Sequence, residues 1–333
     1  MKKNNAQITV LGLWILIILT LLAIAIGQRV QFALGISRYQ KDKLKADLLA
    51  KTAVNLAIAE LESDASSDYD TLQDNWAEDV ERFKKITLNG NPSEYASISY
   101  NIDKQYFGLV DEGRKINLNT APRELLIALF SECGMMHRYA EDLADYVCVW
   151  RGDNNYYLNS NAEVYRNFKK SPFVRLEELV IVASQFYKDR GYYDYQRMAR
   201  QLYMEVKDYV TVYSVSIYSY VNVNTVTKRV LLMLARSQVK SQEEMDCIEP
   251  IVEDILKQRS ERGYFKNLDK IKLRDVVSGT SADETLFANL KSKFILYSRY
   301  FTIETQGYSG KVIRRIKAIY DRTTKNMVCW YEN

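Results

Sequence analysis

From Ile8 to Gly27 the chain reads ITVLGLWILIILTLLAIAIG, twenty residues without a charge. A helix rises about 1.5 Å per residue, so such a stretch covers about 30 Å, the hydrocarbon thickness of a bilayer. Inside that layer each backbone N–H and C=O needs an internal partner, and a helix provides one. A single transmembrane helix is therefore expected, with the remaining chain folding outside the membrane. A cleaved secretory signal has a shorter apolar core followed by a small-residue cleavage site, whereas Gln28, Arg29 and Val30 follow directly here. Lys2, Lys3 and the α-amino group flank one side and Arg29, Arg38, Lys41, Lys43 and Lys45 the other, so the charge rule alone leaves orientation open. No proline occurs beyond the span until Pro92, and Leu44, Leu48, Val54, Ile58 and Leu61 are spaced to share one helical face. The helix is expected to run to about Glu62 and to break at Ser63-Asp64-Ala65-Ser66-Ser67-Asp68.

A chain of 333 residues has room for one large or two ordinary domains. Its 46 Lys and Arg against 42 Asp and Glu leave a formal charge of +4 with no basic block, so nucleic acid is not the expected partner. Cys133, Cys148, Cys247 and Cys329 form no CxxC, and His137 is the single histidine, in a Met136-His137-Arg138-Tyr139 turn without a motif around it. Zinc binding and histidine-assisted nucleophilic catalysis are not expected on these residues, no catalytic residue is assigned, and the chain is read as a non-enzyme. The four cysteines allow one or two disulfides, in three pairings if all join, or free buried thiols.

Residues 115–130, KINLNTAPRELLIALF, and 220–235, YVNVNTVTKRVLLMLA, align without a gap at an offset of 105. Each reads as a short strand, an Asn-x-Asn-Thr and a helix with leucines on one face. Asn117, Asn119, Asn222 and Asn224 are expected to cap the loops by hydrogen bonding, and Thr120 and Thr225 to be helix N-caps, with Pro122 in a first turn. A second helical stretch ends in arginine each time, Leu143 to Arg151 and Ile251 to Arg262. Phe173-Val174-Arg175-Leu176-Glu177-Glu178-Leu179 and Phe265-Lys266-Asn267-Leu268-Asp269-Lys270-Ile271 then follow. Near the C-terminus Tyr300 to Tyr308, Val312 to Asp321 and Asn326 to Tyr331 alternate as a three-stranded meander, which the extended stretch Tyr95 to Ile102 can join. Strand material on both sides makes the helical repeats an insertion in an α+β fold.

A span that starts within ten residues and continues as one long amphipathic helix resembles the N-terminal helix of type IV pilins and pseudopilins. The order of motifs is more specific. Asp111-Glu112-Gly113-Arg114-Lys115-Ile116-Asn117-Leu118-Asn119, Trp150-Arg151, Leu176-Glu177-Glu178-Leu179, Tyr209-Val210-Thr211-Val212-Tyr213 and Val221-Asn222-Val223-Asn224-Thr225 resemble, in sequence order, the pattern of the general secretion pathway protein K family, minor pseudopilins of type II secretion. The resemblance implies a pilin-like fold, a long N-terminal helix plus an antiparallel sheet, with a large inserted α-helical domain of tandem helix-hairpin-helix-like repeats. It divides the chain into 1–27 (leader and span), 28–114 (rest of the helix and start of the pilin-like domain), 115–293 (insertion, repeats 115–210 and 220–290) and 294–333 (closing strands).

It further implies a subunit at the pseudopilus tip that starts or caps assembly and supports protein export. The implied partners are minor pseudopilins I and J, the inner membrane, secreted substrate and the outer-membrane channel, with a single-pass anchor in the bacterial inner membrane and the bulk in the periplasm. In pilins a peptidase removes a short leader, usually after glycine, and the fifth mature residue is usually glutamate. Here the candidate junctions follow Asn4, Asn5 or Ala6, none with glycine before the cut, and place Thr9, Val10 or Leu11 fifth. No acidic residue precedes Asp42. The K protein likewise lacks that glutamate, which neutralises the amino terminus of a subunit above, so a subunit with nothing above it does not need one. A bulky insertion points to the same position.

Members of that family bind calcium, and GDNNYYLNSNAEVY after Arg151 offers oxygens from Asp153, Asn155, Asn159, Asn161 and Glu163, with Leu158 where an EF-hand has glycine. A calcium ion there stands as one expectation, with Asp111 and Glu112 as alternative anchoring carboxylates and a solvated Asn-rich loop as the plainer reading. Two other functions remain in view: a minor tip pilin of a type IV pilus or competence filament, and a membrane-anchored helix-hairpin-helix DNA-binding protein. Against the latter, Cys133-Gly134-Met135-Met136-His137 holds one glycine and Ser237 to Asp246 none, where a DNA-binding hairpin presents glycine-rich backbone amides to phosphate. N-terminal sequencing of the membrane-extracted protein is expected to begin at Asn5, Ala6 or Gln7, and an intact Met1 would refute leader removal.

Overall fold

The computed structural model describes residues 3–64, 68–88, 90–101, 105–153, 168–213, 219–274 and 281–333. Helix α1 runs unbroken from Lys3 to Glu62. It is long and apolar enough to cross a membrane, and every residue from Thr9 to Lys41 is exposed in the isolated chain. The hydroxyl of Thr20 within the span donates to the Leu16 carbonyl at 2.7 Å, so it carries no unsatisfied donor into hydrocarbon.

Only the second half of α1 meets the rest of the protein, and the face that does so overlaps the expected one at Val54 and Leu61, with Ile58 at its margin, and departs from it at Leu44 and Leu48. Ala46, Leu49, Ala50, Ala53, Val54, Ala57 and Leu61 are buried, whereas Leu44 and Leu48 are 61% and 52% exposed and Ile58 is only partly buried. The reason is distance. The helix lies so close to the sheet that a Cβ on Gly307 would collide with the Ala46 carbonyl, and the Thr305 hydroxyl donates to the Ala50 carbonyl at 3.2 Å. Alanines permit that approach, and leucines at those positions would hold the backbones apart.

After helix α2 (Val80–Phe83), the chain forms β1 (Glu94–Ile98), the small hairpin β2 (Tyr100–Asn101) and β3 (Gln105–Tyr106), and β4 (Val110–Asp111). It then leaves the sheet for the insertion. On return it makes β9 (Tyr300–Ser309), β10 (Val312–Asp321) and β11 (Asn326–Glu332). The sheet order is β1-β9-β10-β11, antiparallel throughout, with β4 also on β9. Gly310, at φ +57°, closes the β9–β10 turn, where an L side chain would be strained. In the next turn Asp321 accepts from Thr323 N at 2.9 Å and pairs with Arg299 at 2.6 Å. The Arg299 hydrogen bond holds the Asp321 carboxyl down to about 2. Trp76 meets Phe301 edge-on at 5.0 Å over a core of Phe83, Ile98, Leu109, Ile303, Ile316 and the α1 alanines.

The insertion builds the same unit twice. The first unit comprises β5 (Ile116–Asn117), α3 (Arg123–Glu132), α4 (His137–Arg151), α5 (Glu178–Asp189), α6 (Tyr195–Val206) and β6 (Val210–Thr211). The second comprises β7 (Val221–Asn222), α7 (Lys228–Arg236), α8 (Gln242–Arg262), α9 (Ser281–Lys291) and β8 (Phe294–Ile295). Each is closed by a two-residue parallel pair, Ile116 beside Val210 and Val221 beside Phe294. Phe294 and Ile295 thus belong to the second unit, and the chain rejoins the sheet at Tyr300. Both units share one apolar core, separate from that of the sheet.

Neither Thr120 nor Thr225 is an N-cap. Helix α3 begins at Arg123 with Pro122 in the cap position, and α7 at Lys228 with Thr227 as cap, its hydroxyl accepting from Val230 N at 3.4 Å. The Asn-x-Asn-Thr closes a turn of its own, with Asn117 and Asn222 each accepting from the amide two residues on, at 2.8 and 3.0 Å. The helices therefore start after that turn. Gly307→Val, which forces a branched side chain between α1 and β9, is expected to cost about 1–3 kcal/mol or more in denaturant unfolding of the full-length chain in detergent; an unchanged midpoint would show that the helix stands farther from the sheet.

Candidate functional site

The joint between sheet and insertion is a buried polar cluster. At the end of β4, the Asp111 carboxylate accepts from the Gly113 amide at 2.6 Å, the Thr225 hydroxyl at 2.5 Å and the Asn222 carboxamide at 3.2 Å. The same Asn222 nitrogen also lies 3.2 Å from the Ser298 hydroxyl and from the Asp70 carbonyl. Arg322, in the β10–β11 turn, grips Asp70 with two nitrogens at 2.7 and 2.8 Å and reaches the Ser298 carbonyl at 2.9 Å, while the Ser298 amide donates to Asp70. Four separate parts of the chain thus meet in one place: the loop after α1, β4, the second repeat and the final hairpin.

The cluster is closed to water except along the partly exposed Arg322; Asp70 and Asn222 are fully buried and Asp111 nearly so. Burial pushes the Asp70 carboxyl up to about 7 against the pull of Arg322, and burial likewise raises Asp111. The Arg322 guanidinium pairs with Asp70, and low polarity disfavours the anionic form of both Asp70 and Asp111. On the other side of β4, burial acts on Glu112 too, but Lys115 at 2.5 Å and the hydroxyls of Thr211 and Thr302 hold its carboxyl below the ordinary value.

The internal repeat shows which parts of the motif are architecture. Asn119 clamps the Phe173 backbone through both ends of its carboxamide, at 2.7 and 3.0 Å, and Asn224 does the same to Phe265 at 2.8 and 2.9 Å. Arg151 donates to the carbonyls of Leu118 and Ala121 at 2.8 and 2.7 Å. Its counterpart is Arg259, donating to Val223 and Val226 at 3.0 and 2.8 Å, and not Arg262 at the helix end. Burial lowers Arg259 to about 10.

The repeats differ where the second one holds Asp111. In the first, the corresponding donors, Asn117 Nδ2 and Thr120 Oγ1, are buried without a hydrogen-bond partner among the described residues. One face of the pair is docked on the sheet domain and its twin is not.

Of the expected calcium ligands, Asn155, Asn159, Asn161 and Glu163 lie outside the described residues. Asp153 is described, and its Oδ2 is held by Arg151 at 2.5 and 2.8 Å. The alternative anchors, Asp111 and Glu112, do not fit an ion, because the donors and cations just named already surround their oxygens. Asp64, Asp70 and Asp74 bring carboxylate oxygens within 4.8 Å of one another. There too Asp70 is taken by Arg322, and Asp74 accepts from Thr71 N at 2.7 Å and Trp76 Nε1 at 3.2 Å. The four cysteines are free thiols, with Cys148 pushed up to about 12 by burial. His137 stands exposed at the start of α4, 3.7 Å from Glu141.

The hairpins that would face DNA have their amides engaged within the chain. Between α3 and α4, Cys133, Gly134 and Met135 donate to Leu129, Ser131 and Phe130 at 3.0–3.1 Å. Between α7 and α8, Lys240 N donates to the Glu244 carboxylate at 2.5 Å, which also sets a negative charge where a phosphate would come.

A long helix, bare and apolar in its first half and laid on an antiparallel sheet by its second, defines a pilin-like protein, here with a helical domain inserted between β4 and β9. No family model matches the sequence, and no curated protein matches it. Among solved structures, a chain of the GspK-GspI-GspJ complex from the type 2 secretion system of enterotoxigenic Escherichia coli superposes with a TM-score of 0.63 at 16% identity, covering 89% of this chain and 99% of that one. The fold is therefore GspK-like, insertion included. Asn222→Ala is expected to lower unfolding free energy by about 2–4 kcal/mol, since it strips Asp111 of a donor, and Asn117→Ala by only about 1 kcal/mol. Urea titrations of the two full-length variants check this, and equal losses would mean the joint contributes nothing.

Proposed function

We propose that this chain is a minor pseudopilin of a type II secretion system, placed at the tip of the pseudopilus and acting there without catalysis. The observation that carries the reading is the joint. It fixes a domain larger than the sheet domain rigidly beside it, and a filament subunit with another stacked above has no room for such a head. The absence of acids from the apolar half of α1 supports the same position. The first carboxylate of the chain, Asp42, already lies at the edge of the folded body, 3.4 Å from the Ser309 hydroxyl, and so is unavailable to an adjacent amino terminus within the membrane.

By analogy with the GspK-GspI-GspJ complex, the partners proposed are minor pseudopilins I and J. The chain is anchored in the inner membrane by α1, with the sheet and insertion in the periplasm. Between span and body, Val30, Leu34, Leu44 and Leu48 recur on one side of α1, all exposed, which suits helix-to-helix packing with those partners. A tip pilin of a type IV pilus shares the helix and sheet; the insertion favours secretion. A role in DNA binding is disfavoured by the closed hairpins.

Full-length protein co-expressed with minor pseudopilins I and J is expected to co-purify with both in detergent. The double variant Leu44→Glu/Leu48→Glu, which changes no buried residue, is expected to weaken that complex about tenfold or more, the effect of losing about 1.4 kcal/mol. Failure of the unaltered protein to form any complex would contradict the assignment.

A further inference from the structure

A cleft of about 250 Å³ separates the sheet from the first repeat. Arg114, in the single 3-10 turn after β4, lines it and is only 6% exposed. A buried guanidinium ordinarily has an acceptor for its fork of N–H groups. Among the described residues no carboxylate or carbonyl is hydrogen-bonded to Arg114. It lies over the Tyr100 ring at 5.3 Å and feels the Asp111 charge only at longer range, with that carboxylate held by Gly113, Asn222 and Thr225.

The acids lining the cleft are largely engaged. Glu112 pairs with Lys115 at 2.5 Å and accepts from Thr302 at 2.8 Å. Glu304 pairs with Lys317 at 2.9 Å, and Glu177 lies 3.4 Å from the Tyr203 hydroxyl. At the mouth, exposed Arg175 sits over Tyr331 at 5.3 Å, and Lys207 adds another cation. After these pairings, among the described lining residues, Arg114, Arg175 and Lys207 outnumber Glu177 and Asp208, and tyrosines 100, 203, 213 and 331 supply flat, half-polar walls.

We propose that this cleft binds a carboxylate side chain presented by an acidic protein segment, with Arg114 as its buried bidentate anchor and Arg175 as the cation at the mouth. A guanidinium fork matches a carboxylate edge to edge, and tyrosine walls accept peptide backbone and side chains rather than a bare ion. The site lies apart from the helix surface that would pack in a filament, so it stands or falls independently of the tip assignment.

The test uses the full-length chain in detergent at low salt and a fluorescein-labelled hexaglutamate peptide read by anisotropy, with hexaglutamine and free glutarate as separate arms. Saturable, salt-sensitive binding of hexaglutamate is expected, with none of hexaglutamine and far weaker competition by glutarate. Arg114→Gln is expected to weaken it about tenfold or more and Arg175→Ala about threefold. Arg175 is exposed, so its variant reports even if the Arg114 variant folds poorly. Equal binding of hexaglutamine, or binding indifferent to both substitutions, would overturn the proposal. Glutarate competing as well as the peptide would assign the cleft to small solutes and overturn it too.

Discussion

The Asp111 carboxylate ends the strand at which the chain leaves the sheet, and it is held by side chains from the second repeat, 111 and 114 residues farther on. A buried carboxyl stripped of donors is among the more costly things a fold can contain, so its partners and their position are tied together. Asn222 serves two purposes there. Its oxygen closes the turn that launches α7, while its nitrogen reaches Asp111, Ser298 and the Asp70 carbonyl, so the repeat's internal geometry and its docking on the sheet share one residue. Arg322 closes the cluster from the last hairpin, and the insertion becomes a rigid extension of the sheet domain instead of a tethered one.

The anchor obeys a different constraint. In the apolar half of α1, long enough to cross a membrane, only length, apolarity and internal hydrogen bonding matter. Past Asp42 the same helix must lie against a sheet with almost no gap, and alanine at four of its buried positions, opposite Gly307, provides the fit. Leu44 and Leu48 are turned outward and stay exposed on the opposite side of the helix. A head fixed at one end and an apolar helix at the other are the two surfaces that the proposed tip role would use.

Much of this was legible in the sequence, and the misreadings share a cause. The ten-residue strands β9 and β10 read as extended runs bounded by turn residues, and the repeat at offset 105 identifies both units and their asparagine turns. Leu44 and Leu48 share a face with Val54 and Leu61 by hydrophobic spacing, whereas close packing turns the alanines Ala46, Ala50, Ala53 and Ala57 to the sheet and leaves Leu44 and Leu48 outside. Thr120 and Thr225 look like caps until the asparagine turn is seen to use the intervening residues. Strands of two residues, such as β6 and β8, carry no period. The choice of Arg259 over Arg262 depends on which arginine reaches two particular carbonyls, and the role of Asp111 depends on residues more than a hundred positions away.

The central claim, that Asp111 and Asn222 act as one unit joining insertion to sheet, is tested most directly by a double-mutant cycle. Asp111→Ala, Asn222→Ala and their combination would be compared by denaturant unfolding of the full-length protein. A coupling free energy of about 1–3 kcal/mol is predicted, because the second substitution should cost little once the first has broken the joint. Losses that simply add would contradict the account.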